Sequence, residues 1–270
     1  MFVYGCKFPF CDAVQEISIE PIEINALRFN SNYRILLRSK SLAKMLILRE
    51  QKLLFVKTKK TAGTSIEILL SEHLQQGDFA TPLLPDEEKL RPKKRKIVRE
   101  SVRLLRERAQ GKVRARYPHL GLDVAESYLD DISSGCESFC VERNPWDKAV
   151  SAFFFWMHRR GGPITDIDRQ FTAFCKKQLS YFSDFDMYSR DGRLAAGFVA
   201  RYENLAVDLN EFLGSRGLSD FDISQMNAKS NVRKKRTLEE FFGENFDNKN
   251  AKRVAKIFER EIETSGYQPT

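Results

Sequence analysis

The chain is poor in the residues that build disulfide frameworks, metal centres and membrane spans. Its 270 residues include five cysteines, three histidines and two tryptophans. The cysteines (Cys6, Cys11, Cys136, Cys140 and Cys175) are odd in number and sparse, which excludes a disulfide scaffold. Cys136 and Cys140 have the wrong spacing for a common zinc knuckle and no histidine follows at ligand distance, so no metal is expected. No Asn-x-Ser/Thr sequon occurs. Apolar runs near the N-terminus are short: Leu46-Ile47-Leu48 meets Arg49-Glu50, and Leu53 to Val56 lies between Lys52 and Lys57. None approaches the ~18 apolar residues a membrane span needs. The first residues lack a basic start followed by an apolar stretch, so no signal peptide is expected. These absences point to a cytoplasmic protein.

Charge and phenylalanine are abundant. Lys and Arg number 45 against 37 Asp and Glu, a net charge of +8; 42% of residues are hydrophobic and 30% charged. That balance excludes global disorder and fibrous classes. The basic surplus favours an anionic partner such as phosphate, sulfate, nucleic acid or an acidic glycan. Twenty-one phenylalanines imply an aromatic-rich interior.

Along the chain, residues 41–50 read as a short helix, Leu53–Val56 as a buried strand, and Ile66 to Leu70 as the start of a helix. Residues 86–116 are densely basic, with Val98, Val102, Leu105 and Ala109 at helical spacing. This is an amphipathic helix whose outer face is either simply solvated or an electrostatic surface for an acidic acceptor. Aromatic-basic interleaving, zinc fingers and RNA-binding sheet signatures are missing, so nucleic acid is not an expected partner. Phe139-Cys140-Val141 is a second strand. Asn144 caps a helix, Pro145 suits its first position, and Trp146, Val150, Phe153 and Met157 form its apolar stripe. Val199 to Tyr202 gives a third strand before a helix with Leu205, Leu209 and Phe212, and Leu238 to Ile262 is mostly helical. Strands separated by helices imply an α/β fold with a central parallel sheet flanked by helices. Residues 1–50 read as an N-terminal extension packed on the core, and 51–270 as the main domain.

The sharpest segment runs from Leu53 to Ile66: strand, small-residue loop, helix. Such a loop aims backbone N–H groups at one spot, at the positive end of a helix dipole. Gly63 allows close approach of a ligand, Thr61, Thr64 and Ser65 add hydroxyls, and Lys60 adds a mobile charge. The Gly-x4-Gly-Lys-Ser/Thr spacing of a Walker loop is absent, because the lysine precedes the glycine.

That order resembles the 5′-phosphosulfate loop of sulfotransferases that use 3′-phosphoadenosine 5′-phosphosulfate, a P-loop-like element. The match covers Lys60-Thr61-Ala62-Gly63-Thr64-Ser65; Lys59 stands where the family has proline. Cys140 to Phe153 resembles the family's 3′-phosphate segment, with Arg143 at a strand end and Ser151 eight positions later. Arg143 offers a forked donor set for phosphate. Arg201-Tyr202-Glu203-Asn204-Leu205 is similar to a strand-to-helix element of the family, read here as structural, with Glu203 orienting its neighbours. Asn227 to Arg236, with Lys229 and Arg233, resembles the late basic loop over the nucleotide, and Ile257 to Tyr267 the last helix. The likeness covers roughly residues 52–267 and is nearest the carbohydrate branch that includes heparan sulfate 2-O-sulfotransferases and bacterial relatives.

The resemblance implies sulfuryl transfer from that nucleotide to an acceptor hydroxyl, on a saccharide by the basic surplus, without a metal. Lys60 would meet the charge on the leaving phosphate, Arg143 and Ser151 would hold the 3′-phosphate, and His119, in the interval where 2-O-type enzymes place a catalytic histidine, would be the base. His73 and His158 fit less well, and Asp123 or Glu126 is the fallback. Segments 74–95 and 159–190 read as variable loops around the acceptor. A P-loop-type kinase and a non-catalytic polyanion-binding protein are the rival readings.

Overall fold

The computed structural model describes residues 45–91, 94–110, 121–161, 163–218 and 236–269. Residues 1–44, His119, Lys229 and Arg233 lie outside the described residues. In chain order the elements are β1 (Met45–Leu48), β2 (Leu53–Val56), α1 (Gly63–Leu70), β3 (Phe79–Ala80), α2 (Pro85–Glu88), α3 (Arg95–Ala109), α4 (Leu122–Ser133) and β4 (Glu137–Glu142). They continue with α5 (Pro145–Arg160), α6 (Ile167–Lys177), α7 (Phe185–Tyr188), β5 (Ser189–Arg190), β6 (Arg193–Leu194) and β7 (Phe198–Arg201). Helices α8 (Leu205–Gly214), α9 (Glu239–Phe242), α10 (Lys249–Ile257) and α11 (Glu259–Ser265) complete the set.

The protein is α/β, with a five-stranded sheet in the order β3-β1-β2-β4-β7 flanked by helices. The sheet is mixed rather than wholly parallel. Strands β2, β4 and β7 run parallel, while β1 is antiparallel to β2 and to β3. The difference comes from residues 41–50, read as helical but containing β1. Four apolar residues carry no periodicity that separates strand from helix. The adjacent β2 decides: Met45 pairs with Val56 and Leu48 with Leu53 across the turn Arg49–Lys52. Every residue of β1 and β2 is buried, as expected for strands covered on both faces.

Alternation along the strands builds two apolar layers. Leu46, Leu48, Leu53, Phe55, Phe139 and Val141 face Ile66 and Leu70 of α1, Val98 of α3 and Leu209 of α8. Met45, Ile47, Leu54, Val56 and Cys140 face Leu122, Ala125 and Leu129 of α4 and the aromatic pair Phe185–Tyr188. A third cluster, among α5, α6, α9 and α10, takes up much of the phenylalanine. Phe153 meets Phe171 edge-on at 5.3 Å, and Phe171 meets Phe241 at 4.8 Å, geometries that suit the ring quadrupoles.

Within the basic segment α3 forms, burying Val98, Leu105 and Ala109, while Val102 is half-buried and Ser101 takes the inner position. The Ser101 hydroxyl accepts from Ala80 N–H at 3.0 Å and donates to Ile97 O at 2.9 Å, which satisfies its burial. The segments read as loops are structured in part: 74–95 holds β3 and α2, and 159–190 holds α6 and α7. Short elements such as β3 carry too few residues for a period to show.

The register Phe55↔Phe139 and Glu142↔Arg201 sets the carboxyl ends of β2, β4 and β7 side by side. In open α/β sheets, crevices form at such ends. The Lys60 loop, Arg143 and Tyr202 follow those three ends.

Candidate functional site

The chain leaves β2 at Lys57 and enters α1 at Gly63. Between them Lys60 and Ala62 hold φ of +63° and +59°, a left-handed conformation that costs a non-glycine residue on the order of 1 kcal/mol. Several contacts hold it. The Thr58 hydroxyl donates to Val141 O of β4 and lies 2.8 Å from the Thr61 hydroxyl, which donates to Thr58 O at 3.1 Å. Thr61 is thus buried and turned into the loop, so its hydroxyl shapes the loop instead of pointing outward. Lys59, in the family's proline position, is pinned: its N–H donates to Asp184 Oδ2 at 2.7 Å and its Nζ to Asp184 Oδ1 at 2.7 Å.

Gly63 is required by close approach. A Cβ there would lie 2.6 Å from Cγ of Lys57. Lys57 runs beneath the helix start and pairs with Glu67 at 3.0 Å; Glu67, fully buried, also binds Arg91 at 2.7 Å. No side chain caps α1, and among the described residues no protein acceptor meets the N–H groups of Gly63 and Thr64. Thr64 and Ser65 are half-buried beside them.

Arg143 comes to this loop from β4. Its Nη1 donates to Lys60 O at 3.1 Å, its Nε to Asp147 Oδ2 at 2.6 Å, and its guanidinium lies 4.0 Å from the Tyr202 ring centre. Asn144 caps α5 by accepting from Trp146 N at 3.1 Å, with Pro145 in the first turn. At about 100° per residue, Asp147, Ser151 and Phe155 form one strip along α5. Lys60 meets one end directly and the other through Arg143: its Nζ lies 4.3 Å from the centre of the Phe155 ring, and its carbonyl accepts from Arg143, which pairs with Asp147. Ser151, half-buried, stands on the strip between Asp147 and Phe155, and its hydroxyl makes no hydrogen bond among the described residues. Lys60, 83 residues before Arg143, is thus brought to the segment that carries Arg143 and Ser151.

A buried charge cluster beneath the loop was not read in the sequence. Lys148 Nζ lies 2.9 Å from Asp184 Oδ2 and 3.1 Å from Glu142 Oε2, with all three residues buried. Glu261 Oε1 accepts from Ser183 Oγ at 2.6 Å and from the N–H of Asp184 at 3.1 Å. Burial pushes the Glu142 carboxyl up to about 7, with Lys148 opposing and Asp184 reinforcing the rise. Burial pushes Asp184 up too, but Lys148 and Lys59 outweigh it and hold the carboxyl below its ordinary range. Burial lowers the Lys59 ammonium, with Asp184 opposing. The signal available was a Glu closing an apolar strand and a Lys inside an apolar helix stripe. Nothing in sequence pairs either with Asp184.

Glu203 does orient its neighbours, accepting from Asn144 N at 2.7 Å and from the Tyr267 hydroxyl at 3.0 Å, while Asn144 Nδ2 donates to Gln268 O at 2.9 Å. His73 follows the far end of α1, away from the loop. His158 is exposed and three residues past Phe155, on the same side of α5. Asp123 and Glu126 lie on α4, where Glu126 pairs with Arg190. Arg236, at the end of the late basic stretch, pairs with Asp168 of α6 at 2.9 Å. Among the described residues no group of three or more His, Cys, Asp or Glu is gathered to hold a metal, and no helix is long and apolar enough to cross a membrane.

Such an arrangement offers fixed N–H groups, an ammonium and a guanidinium to an anionic ligand, with a small hydroxyl on the adjoining strip of α5. Compared with family models, curated proteins and solved structures, the chain matches none.

Proposed function

We propose that this protein is a sulfotransferase, moving a sulfuryl group from 3′-phosphoadenosine 5′-phosphosulfate to a hydroxyl of a saccharide acceptor. The observation that carries this reading is the junction of Lys60 and Arg143, beside the α5 strip on which Ser151 stands between Asp147, the partner of Arg143, and Phe155, which Lys60 Nζ covers. A doubly phosphorylated nucleotide needs two anion cradles within its own length, and these two segments meet.

The acceptor oxygen forms a bond to sulfur as the bond from sulfur to the 5′-phosphate oxygen breaks. The bisphosphate leaves with the electron pair. Charge accumulates on that leaving oxygen, so positioned cations and dipoles accelerate the step more than covalent chemistry does. Lys60 Nζ and the N–H groups of Gly63 and Thr64 meet that charge, with the hydroxyls of Thr64 and Ser65 beside them. Thr61 and Ala62 set the loop's shape. Arg143 retains donors beyond those spent on Lys60 O and Asp147, and with Ser151 it holds the 3′-phosphate. His119 takes the acceptor proton, as the resemblance implies. Lys229 and Arg233 supply further positive charge to the nucleotide, as the resemblance implies.

A thermal-shift titration tests the reading. The desulfo nucleotide, 3′-phosphoadenosine 5′-phosphate, is expected to raise the melting temperature where adenosine 5′-monophosphate does not. Equal responses, or none, would overturn it.

A further inference from the structure

The structure assigns Asp184 as a positioning residue: one buried carboxylate that grips both the backbone and the side chain of Lys59 and, through Lys148, ties the loop to the helix that follows Arg143. Its importance for catalysis rests on the sulfotransferase reading; its grip on the loop does not.

The geometry is specific. Asp184 spends Oδ1 on Lys59 Nζ at 2.7 Å and shares Oδ2 between Lys59 N–H at 2.7 Å and Lys148 Nζ at 2.9 Å. The carboxylate is itself fixed, because Glu261 of α11 holds Asp184 N–H at 3.1 Å and Phe185 N–H at 3.3 Å. Lys148 reaches on to Glu142, whose Oε2 accepts from Arg143 N–H at 3.3 Å. The cluster thus joins the loop, the end of β4, α5 and the residues before α7.

Lys60, with φ +63°, sits between two clamps. Asp184 holds the residue before it, and Arg143 holds its own carbonyl. A left-handed lysine persists where its surroundings leave no alternative. The clamp also sorts two adjacent lysines. Lys59 is drawn inward, its side chain only 15% exposed, and Lys60 lies along α5 over Phe155. Charge complementarity explains why a carboxylate is needed: a neutral amide would leave Lys59 and Lys148 short of a counter-charge in a buried place.

The test compares wild type with D184N and K59M. Measurements are amide hydrogen exchange of residues 58–64, calorimetric affinity for 3′-phosphoadenosine 5′-phosphate, and kcat and KM for sulfuryl transfer, all below the melting temperature of each variant. For D184N the loop amides are expected to exchange at least 10-fold faster. Nucleotide affinity and kcat should fall 10- to 100-fold, and acceptor KM should change less than 3-fold. For K59M, which keeps the backbone half of the clamp, exchange should rise 3- to 10-fold. A carboxylate that merely stabilises the core would lower the melting temperature and leave loop exchange and affinity at wild-type values, and that result overturns the proposal. If D184N does not fold, wild-type loop exchange in K59M overturns it. Failure of the wild type to bind the nucleotide would sink the sulfotransferase reading alone, since the exchange comparison still reports on the clamp.

Discussion

Arg143 donates from Nη1 to the carbonyl oxygen of Lys60 at 3.1 Å, joining positions 83 residues apart. The contact spends one donor of the guanidinium on the loop's backbone, so the arginine has a structural partner as well as a proposed ligand. It also holds Lys60 in its left-handed conformation. Loss of either side chain should therefore read out differently.

Lys60→Ala keeps the carbonyl and removes the ammonium. Turnover is expected to fall by roughly two to three decades, as for loss of one transition-state donor, with the melting temperature little changed. Single-turnover transfer of labelled sulfuryl measures it; wild-type turnover would remove Lys60 from the chemistry.

Arg143→Ala should weaken nucleotide binding about 10- to 100-fold, the range for a charge-assisted bond. Arg143→Lys should recover little of it, because a point charge cannot serve Lys60 O, Asp147 and a phosphate together. Calorimetry with the bisphosphate decides, and equal affinity in either variant would end the 3′-phosphate assignment.

Two histidines separate the proton acceptors. His119→Ala is expected to lower turnover by about 100-fold or more, and His158→Ala to leave it within a few-fold. Comparison of the two pH–rate profiles checks this, and the opposite pattern would place the base on α5.

Gly63→Ala sets a methyl group 2.6 Å from Lys57 Cγ. The lysine stem must move, disturbing its pair with the buried Glu67, and the expected loss of stability is about 1–3 kcal/mol. Chemical denaturation reads it directly; an unchanged midpoint would mean that the stem shifts without cost.

Glu142, pushed by burial up to about 7, gives stability a defined pH dependence. Below about pH 4.5 the carboxyl is protonated in folded and unfolded chains alike. Between about 4.5 and 7 the unfolded chain ionises first, so this group's contribution declines as pH rises, by on the order of 3 kcal/mol across the window. Denaturation midpoints from pH 4 to 8 are expected to show that decline in the wild type and a flatter profile in Glu142→Gln. Parallel profiles would refute it.

The parts legible in the sequence were those written by local spacing. The strand–loop–helix from Leu53 to Leu70, the Asn144-Pro145 helix start and the Arg143–Ser151 interval are near-neighbour patterns, and the structure forms each of them. Strand β1 was lost because its four residues become a strand only through pairing with β2. Thr61 resembles an outward donor in sequence, but its hydroxyl is taken by Thr58 of the same loop. Asp184 was invisible for a different reason. It lies 125 residues beyond Lys59, in a stretch with no period, and only the packing of Phe185 and Tyr188 under the sheet brings it to the loop.

The hydrogen bonds from Tyr267 to Glu203 and from Asn144 to Gln268 O tether residues 267–268 to the turn after β7 and to the cap of α5. A protease that clipped the polypeptide after Ser265 would cut both tethers while sparing every residue proposed to touch the nucleotide. Such trimming is expected to loosen the entrance of α5 and blunt Arg143 from a distance, making residues 267–268 a remote brace for the face that carries it.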